Sequence, residues 1–279
     1  MLGSFILWFG WYGFNSGSAL ITSSHERGKL VALCAVNTTL SGGAGGLTAL
    51  FVNLLILERR LGEPIFDLKM AMNGSLSGLV AITAGCGVVE PWAALLIGIF
   101  AGLLYLGGSN LLLKLRLDDA VDAIPIHMVN GMWGLIAVGF VASPRNLNLT
   151  YGIEVPHVGW FYSLARGSGD ARLLAAQLVG ILFILGWCLI IMMPFFVWLD
   201  WKGWFRSDPL EEIVGLDTSY HGGLILMSGD DSVNPEYVSQ FKKQRNEIRQ
   251  RRTSKAVPLD ADDESLDDRG GNATTVGTT

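Results

Sequence analysis

Six stretches of the chain run for about twenty residues or more without Asp, Glu, Lys or Arg: 1–24, 30–57, 70–89, 91–113, 123–144 and 173–199. In a helix rising about 1.5 Å per residue, roughly 20 apolar residues cross the hydrocarbon of a bilayer. Each stretch therefore predicts one membrane-spanning helix. Barrel strands would alternate apolar and polar positions over about 10 residues, whereas these runs are longer and uniformly apolar. The first stretch reads as a span rather than a secretory leader, because it lacks a basic start and carries Trp8, Trp11, Tyr12 and Asn15 in its middle. The expected fold class is an all-α membrane protein, a bundle of six transmembrane helices.

Charge then sets the orientation. The connections at 58–69 and 114–119, with the segment after residue 199, hold Arg59, Arg60, Lys69, Lys114, Arg116, Lys202 and Arg206. The opposite connections hold Arg27, Lys29, Arg145, Arg166 and Arg172. Positive residues favour the cytoplasmic side, so the N-terminus of this chain and the C-terminal tail are expected in the cytoplasm.

Composition agrees with a membrane body. The 279 residues are 50% hydrophobic and 16% charged, where soluble domains carry about 25% charged residues. Residues 1–205 are neutral, and 206–279 carry the whole net charge of −5. This division separates a transmembrane domain, 1–205, from a cytoplasmic tail, 206–279. A soluble enzyme, a disulfide scaffold and a nucleic-acid binder are excluded as classes. Cys34, Cys86 and Cys188 lie far apart inside apolar stretches and read as small packing residues. Many of the 35 glycines fall inside spans, as in Gly74-x3-Gly78 and Gly98-x3-Gly102. Small residues let helix backbones approach closely in lipid, so the bundle is expected to be compact.

Candidate chemistry is sparse. His127 stands in a span, and ionisable groups at membrane depth mark pathways or partners. In helical register its neighbours Ala123, Gly131 and Gly134 leave room beside the imidazole. The competing reading is a packed histidine bonded to a backbone carbonyl. Trp11, Phe14 and Ser18 form one stripe on the first helix; two aromatic faces and a hydroxyl suit a cation, and plain packing explains them equally well. Asp118, Asp119 and Asp122 precede the His127 helix, where carboxylates cap free N–H groups and suit the helix dipole, with ion binding as the alternative. No residue pattern points to a metal, a cofactor or a catalytic nucleophile.

Four segments together resemble the ammonium transporter family (Amt/Mep/Rh), and the Amt/Mep branch fits best. WFGWYGFNSGSAL at 8–20 is similar to the family's sixth membrane helix, and MNGSLSGLVAITAGCGVVEPW at 72–92 to its eighth. DDAVDAIPIHMVNGMWG at 118–134 resembles the tenth, and GLDTSYHGG at 215–223 the cytoplasmic tail motif. The resemblance covers about residues 1–223. It implies helices six to eleven, that is, the second inverted repeat plus the last helix, with the first repeat missing.

The resemblance also implies roles. His127 becomes the second of two pore histidines that relay a proton. Phe14 becomes one ring of the gate with Trp11 beside it, and Ser18 helps bind ammonium at the outer mouth. The implied activity is ammonium/ammonia transport across the lipid bilayer of the plasma membrane by a trimer, without a cofactor and without enzymatic activity. The alternative is a non-conducting half-transporter that assembles with full-length subunits and regulates them. Ser219 occupies the position of a phosphorylated hydroxyl in the tail motif, with Thr218 beside it and Asp217 close by.

Residues 224–279 lie outside the resemblance. A basic cluster at 242–255 is followed by an acidic run at 260–268. This composition buries no core, so disorder is expected.

Overall fold

The computed structural model describes residues 1–19, 25–62, 64, 66–207, 216 and 243. Eight α-helices are assigned among them: α1 (Leu2–Gly17), α2 (His25–Leu61), α3 (Leu68–Thr83), α4 (Pro91–Leu115), α5 (Asn130–Val141), α6 (Pro144–Tyr151), α7 (Trp160–Ala165) and α8 (Arg172–Trp201). A π-helical turn, Ile124–Val129, leads into α5. Among the described residues there is no strand, only an isolated antiparallel bridge between Val89 and Ala142.

Four helical segments are long and apolar enough to cross a membrane: Gly28–Arg59, Pro91–Leu115, Ile124–Val141 and Arg172–Trp201. The other two expected spans are shorter than the sequence pattern suggests. Helices α1 and α3 have 16 residues each, about 24 Å at the helical rise. The expected span 70–89 loses its end because the chain turns tightly after Thr83. There Gly85 N–H bonds to Ile82 C=O at 2.9 Å, and Val88 N–H bonds to Gly85 C=O at 2.9 Å.

Local chemistry sets the helix ends. The Asp67 side chain accepts from Lys69 N–H at 2.9 Å and starts α3. Pro91 opens α4, where its missing N–H costs nothing. Helix α4 stops at Arg116, which adopts a left-handed φ of 55°.

The residues Met1–Ile190 form one compact unit. Its centre is α2 pressed onto α3 and α4 by glycines. A Cβ on Gly45 would lie 2.5 Å from Gly74 C=O, and one on Gly102 would lie 2.6 Å from Gly45 C=O. Gly78 and Gly98 both meet the Ser41 carbonyl, and Ser41 Oγ donates to Gly78 C=O at 2.7 Å. The two small-residue motifs thus grip the same turns of α2, as the sequence pattern requires. Cys34 and Cys86 are both buried in this core, and Cys86 Sγ donates to the Asn15 carbonyl of α1 at 3.9 Å. Helices α1 and α8 differ: Asn15 is the one buried residue of α1 and Ile181 the one of α8. The remainder of the chain, Ile191–Thr279, forms a second unit, where Phe196 packs on Phe205 at 5.4 Å and Trp198 meets Trp204 edge-on at 5.9 Å.

Candidate substrate pathway

His127 is the fourth residue of the π-helical turn. The turn begins where Asp119 takes both of its first free donors: Oδ1 accepts from Ala123 N–H at 2.8 Å and Oδ2 from Ile124 N–H at 2.7 Å. Pro125 brings no N–H, and its carbonyl accepts from Asn130 Nδ2 at 2.9 Å. The extra residue in the turn shifts the face expected from α-helical register. Gly134 is closed by the Ala81 carbonyl of α3 and offers the imidazole no room, whereas Gly131 faces open space. The His127 side chain is exposed and has no hydrogen-bond partner among the described residues. Such π-turns recur at functional sites.

Asp122 organises the start of this turn. It is 7% exposed and holds a left-handed φ of 57°. Its Oδ2 accepts from Asn73 Nδ2 at 3.2 Å and Tyr105 Oη at 3.2 Å, and pairs with Lys69 Nζ at 3.1 Å. Its Oδ1 accepts from Ser109 Oγ at 2.9 Å. Burial pushes the carboxyl up, but the Lys69 ammonium and the donors from Ser109 and Tyr105 outweigh it and hold Asp122 below the usual carboxylate range. The sequence pattern singled out Asp122 but not its partners, which lie on α3 and α4.

The α1 stripe divides. Phe14 is 63% exposed. Trp11 turns inward, and its Nε1 donates to Thr83 Oγ1 at 2.9 Å. Ser18 Oγ donates to the Phe14 carbonyl of its own helix at 2.9 Å. Among the described residues no hydrogen bond joins this stripe to His127; α1 and the π-turn both pack on α3. Sequence reasoning missed the neighbour that pins α1: buried Asn15, whose Nδ2 donates to Thr38 Oγ1 of α2 at 2.8 Å. A polar residue in the middle of an apolar run was the available signal. Asp217, Thr218 and Ser219 lie outside the described residues.

Stacked apolar helices joined by glycine contact, with an unpartnered histidine on a π-turn, define a polytopic helical membrane protein. Residues 1–224 match the model of the Ammonium Transporter Family. The chain belongs to that family. It is 40% identical over 238 residues to ammonium transporter 1 member 1 of Arabidopsis thaliana, covering 83% of this chain and 46% of that protein. It is 35% identical over 254 residues to ammonium transporter 1 member 3 of Solanum lycopersicum, covering 88% and 54%. Among solved structures it resembles Saccharomyces cerevisiae Mep2, with a TM-score of 0.61 and 28% identity over 71% of this chain and 40% of that one. Candida albicans Mep2 gives 0.62 and 25% over 84% and 48%. The chain spans about half the length of the curated relatives it matches.

Proposed function

We propose that this chain supplies one wall of an ammonium/ammonia pore, with His127 as its proton-relaying group. The observation that carries this reading is the exposed imidazole without a partner, at the π-turn of a span in a member of the ammonium transporter family. A histidine kept for packing would be buried or bonded. An ammonium ion loses much hydration energy in hydrocarbon. Phe14 offsets part of that loss by attraction to its ring face, with Ser18 as acceptor and Trp11 as support. His127 then takes or passes the proton, since imidazole both donates and accepts. Potassium has no proton to give, so this step rejects it.

The subunits assemble as a trimer in the plasma membrane, with six spans and the tail in the cytoplasm, where Ser219 is the switch hydroxyl. The second reading is a subunit that conducts nothing itself and regulates full-length partners. Yeast lacking its own ammonium transporters separates the two. Alone, the chain is expected to give no growth on low ammonium; joined to the first repeat of a relative, it is expected to restore growth. In the joined protein His127→Ala is expected to abolish ammonium selectivity or flux at unchanged surface level, and Phe14→Ala to alter gating. Normal flux with potassium still excluded in His127→Ala rejects the relay. Orientation is tested by the Asn148 sequon: its glycosylation supports a cytoplasmic tail, and a glycan on Asn272 reverses the assignment.

A further inference from the structure

We propose that a cleft beside the first turns of α2, α4 and α6 holds the headgroup of a phospholipid bearing both a phosphate and a primary ammonium. The cleft has a volume of about 470 Å³, and its lining includes Lys29, Leu33, Glu90, Arg145, Asn146 and Leu149. These residues come from three helix starts. Lys29 is in the first turns of α2, Glu90 immediately precedes α4, and Arg145 and Asn146 open α6. Helix N-termini carry partial positive charge, and the Arg145 side chain in the wall adds a full positive charge. That combination suits a phosphate.

Glu90 narrows the ligand. A site for a simple anion would not place a carboxylate in its wall. Glu90 Oε1 accepts from Ser143 Oγ at 2.9 Å, and its Oε2 accepts no hydrogen bond among the described residues. That oxygen is available to an N–H donor on the ligand. One cleft therefore offers the Arg145 guanidinium for a phosphate and a carboxylate for an ammonium group. A trimethylammonium headgroup has no N–H to donate, and a glycerol headgroup has no positive charge. An ethanolamine headgroup meets both needs.

Depth and shape point to a lipid rather than a free ion. The apolar spans Gly28–Arg59 and Pro91–Leu115 begin at this cleft, so it lies where headgroups lie. Trp92, two residues after Glu90, is 51% exposed, as expected of an aromatic at the membrane–water boundary. Leu33 lies further along α2 and Leu149 further along α6, and they give the cleft apolar wall for the top of the acyl chains. The wall is braced, because Asn146 Nδ2 donates to the Val89 carbonyl at 3.1 Å and ties α6 to the start of α4.

The test uses the full chain in detergent micelles, titrated with phosphatidylethanolamine, phosphatidylcholine and phosphatidylglycerol and read by native mass spectrometry. Phosphatidylethanolamine is expected to bind about tenfold more tightly than the other two, the value of one charge-assisted hydrogen bond. Glu90→Gln keeps an acceptor for Ser143 and is expected to bring phosphatidylethanolamine down to the level of phosphatidylcholine. Arg145→Gln is expected to weaken both lipids about tenfold, and Arg145→Lys to restore them. Equal binding of all three lipids by the unchanged chain overturns the proposal, as does a preference that survives Glu90→Gln. Inorganic phosphate and O-phosphoethanolamine serve as soluble competitors. Displacement of the lipid by millimolar inorganic phosphate would assign the cleft to a free anion and overturn the lipid reading.

Discussion

The glycines of α1 and those of α2, α3 and α4 are the same residue in opposite surroundings. In the central helices, side chains added at Gly45, Gly78, Gly98 or Gly102 would run into backbone. In α1, side chains added at Gly3, Gly10, Gly13 or Gly17 would meet nothing within 4 Å. The first group already joins helix to helix. The second leaves α1 smooth and apolar on faces with no occupant among the described residues. Helix α1 is held instead by side-chain bonds: Asn15 to Thr38, Tyr12 to Thr39 at 2.8 Å, and Trp11 to Thr83. Stability is thus concentrated in the three-helix block. Phe14, the proposed gate, rides on a helix tied to that block by a few polar contacts.

The largest effect is expected from breaking the block. Gly78→Leu forces a branched side chain against the Ser41 carbonyl, and overpacking of this severity costs at least about 3 kcal/mol. The expected outcome is aggregation or loss of a cooperative melt in micelles. A normal melt would mean that the α2–α3 contact is looser than the structure has it.

Next comes the Asp122 cluster, which joins α3 and α4 to the His127 turn. Asp122→Ala leaves Lys69, Ser109, Tyr105 and Asn73 without their shared acceptor and places alanine at a left-handed φ. A loss of about 1–3 kcal/mol is expected. Asp122→Asn tolerates that φ and keeps an acceptor, so it should fall between the parent and Asp122→Ala in thermal unfolding. Equal melting of all three would reduce the cluster to a surface arrangement.

Smaller still is Gly10→Ala. Open space and ordinary helical geometry predict a gain of about 0.5–1 kcal/mol from reduced backbone entropy. A gain in the isolated chain, with loss of assembly beside a full-length relative, would identify the open face of α1 as a helix-packing surface. A gain with assembly intact would leave that face to lipid.

These regions differ in how much of them the sequence reveals. Span positions follow from charge-free length, and close packing follows from glycine spacing, because both are local patterns. The π-turn does not. It depends on Asp119 taking two donors, Pro125 withholding one and the Asn130 side chain covering a carbonyl, and no periodicity encodes that combination. The Asp122 cluster draws its donors from α3 and α4, helices remote in the chain, so only the fold unites them. The early end of α3 was legible in part, since Gly85 and Gly87 punctuate the run, but apolar length masked the turn. His127 was visible as an ionisable group in a span; its exposure was not, because exposure is a property of what packs around it.

The smallest expected effect lies in the loop between α6 and α8, outside the spans. His157 Nδ1 and Asp170 Oδ2 are 2.7 Å apart, and Arg172 N–H donates to Asp170 Oδ1 at 2.9 Å. The Arg172 backbone donor first, and the His157 side chain second, hold the Asp170 carboxyl below its ordinary value of 3.8. A carboxyl depressed on folding contributes stability that is present above the unfolded value and is lost as pH falls through the folded one. Between about pH 5 and 7, Asp170 therefore adds no pH dependence, and its contribution fades below about pH 4. Asp170→Asn should have a melting temperature nearly parallel to the parent above that boundary and a shallower fall below it. His157→Ala removes the second cause and leaves the Arg172 donor, so its acid profile should lie between the two. Parallel profiles of parent and Asp170→Asn down to about pH 3 would show that this pair contributes nothing to acid stability. The acid sensitivity would then belong to Asp122 and its partners, where Asp122→Asn should remove it.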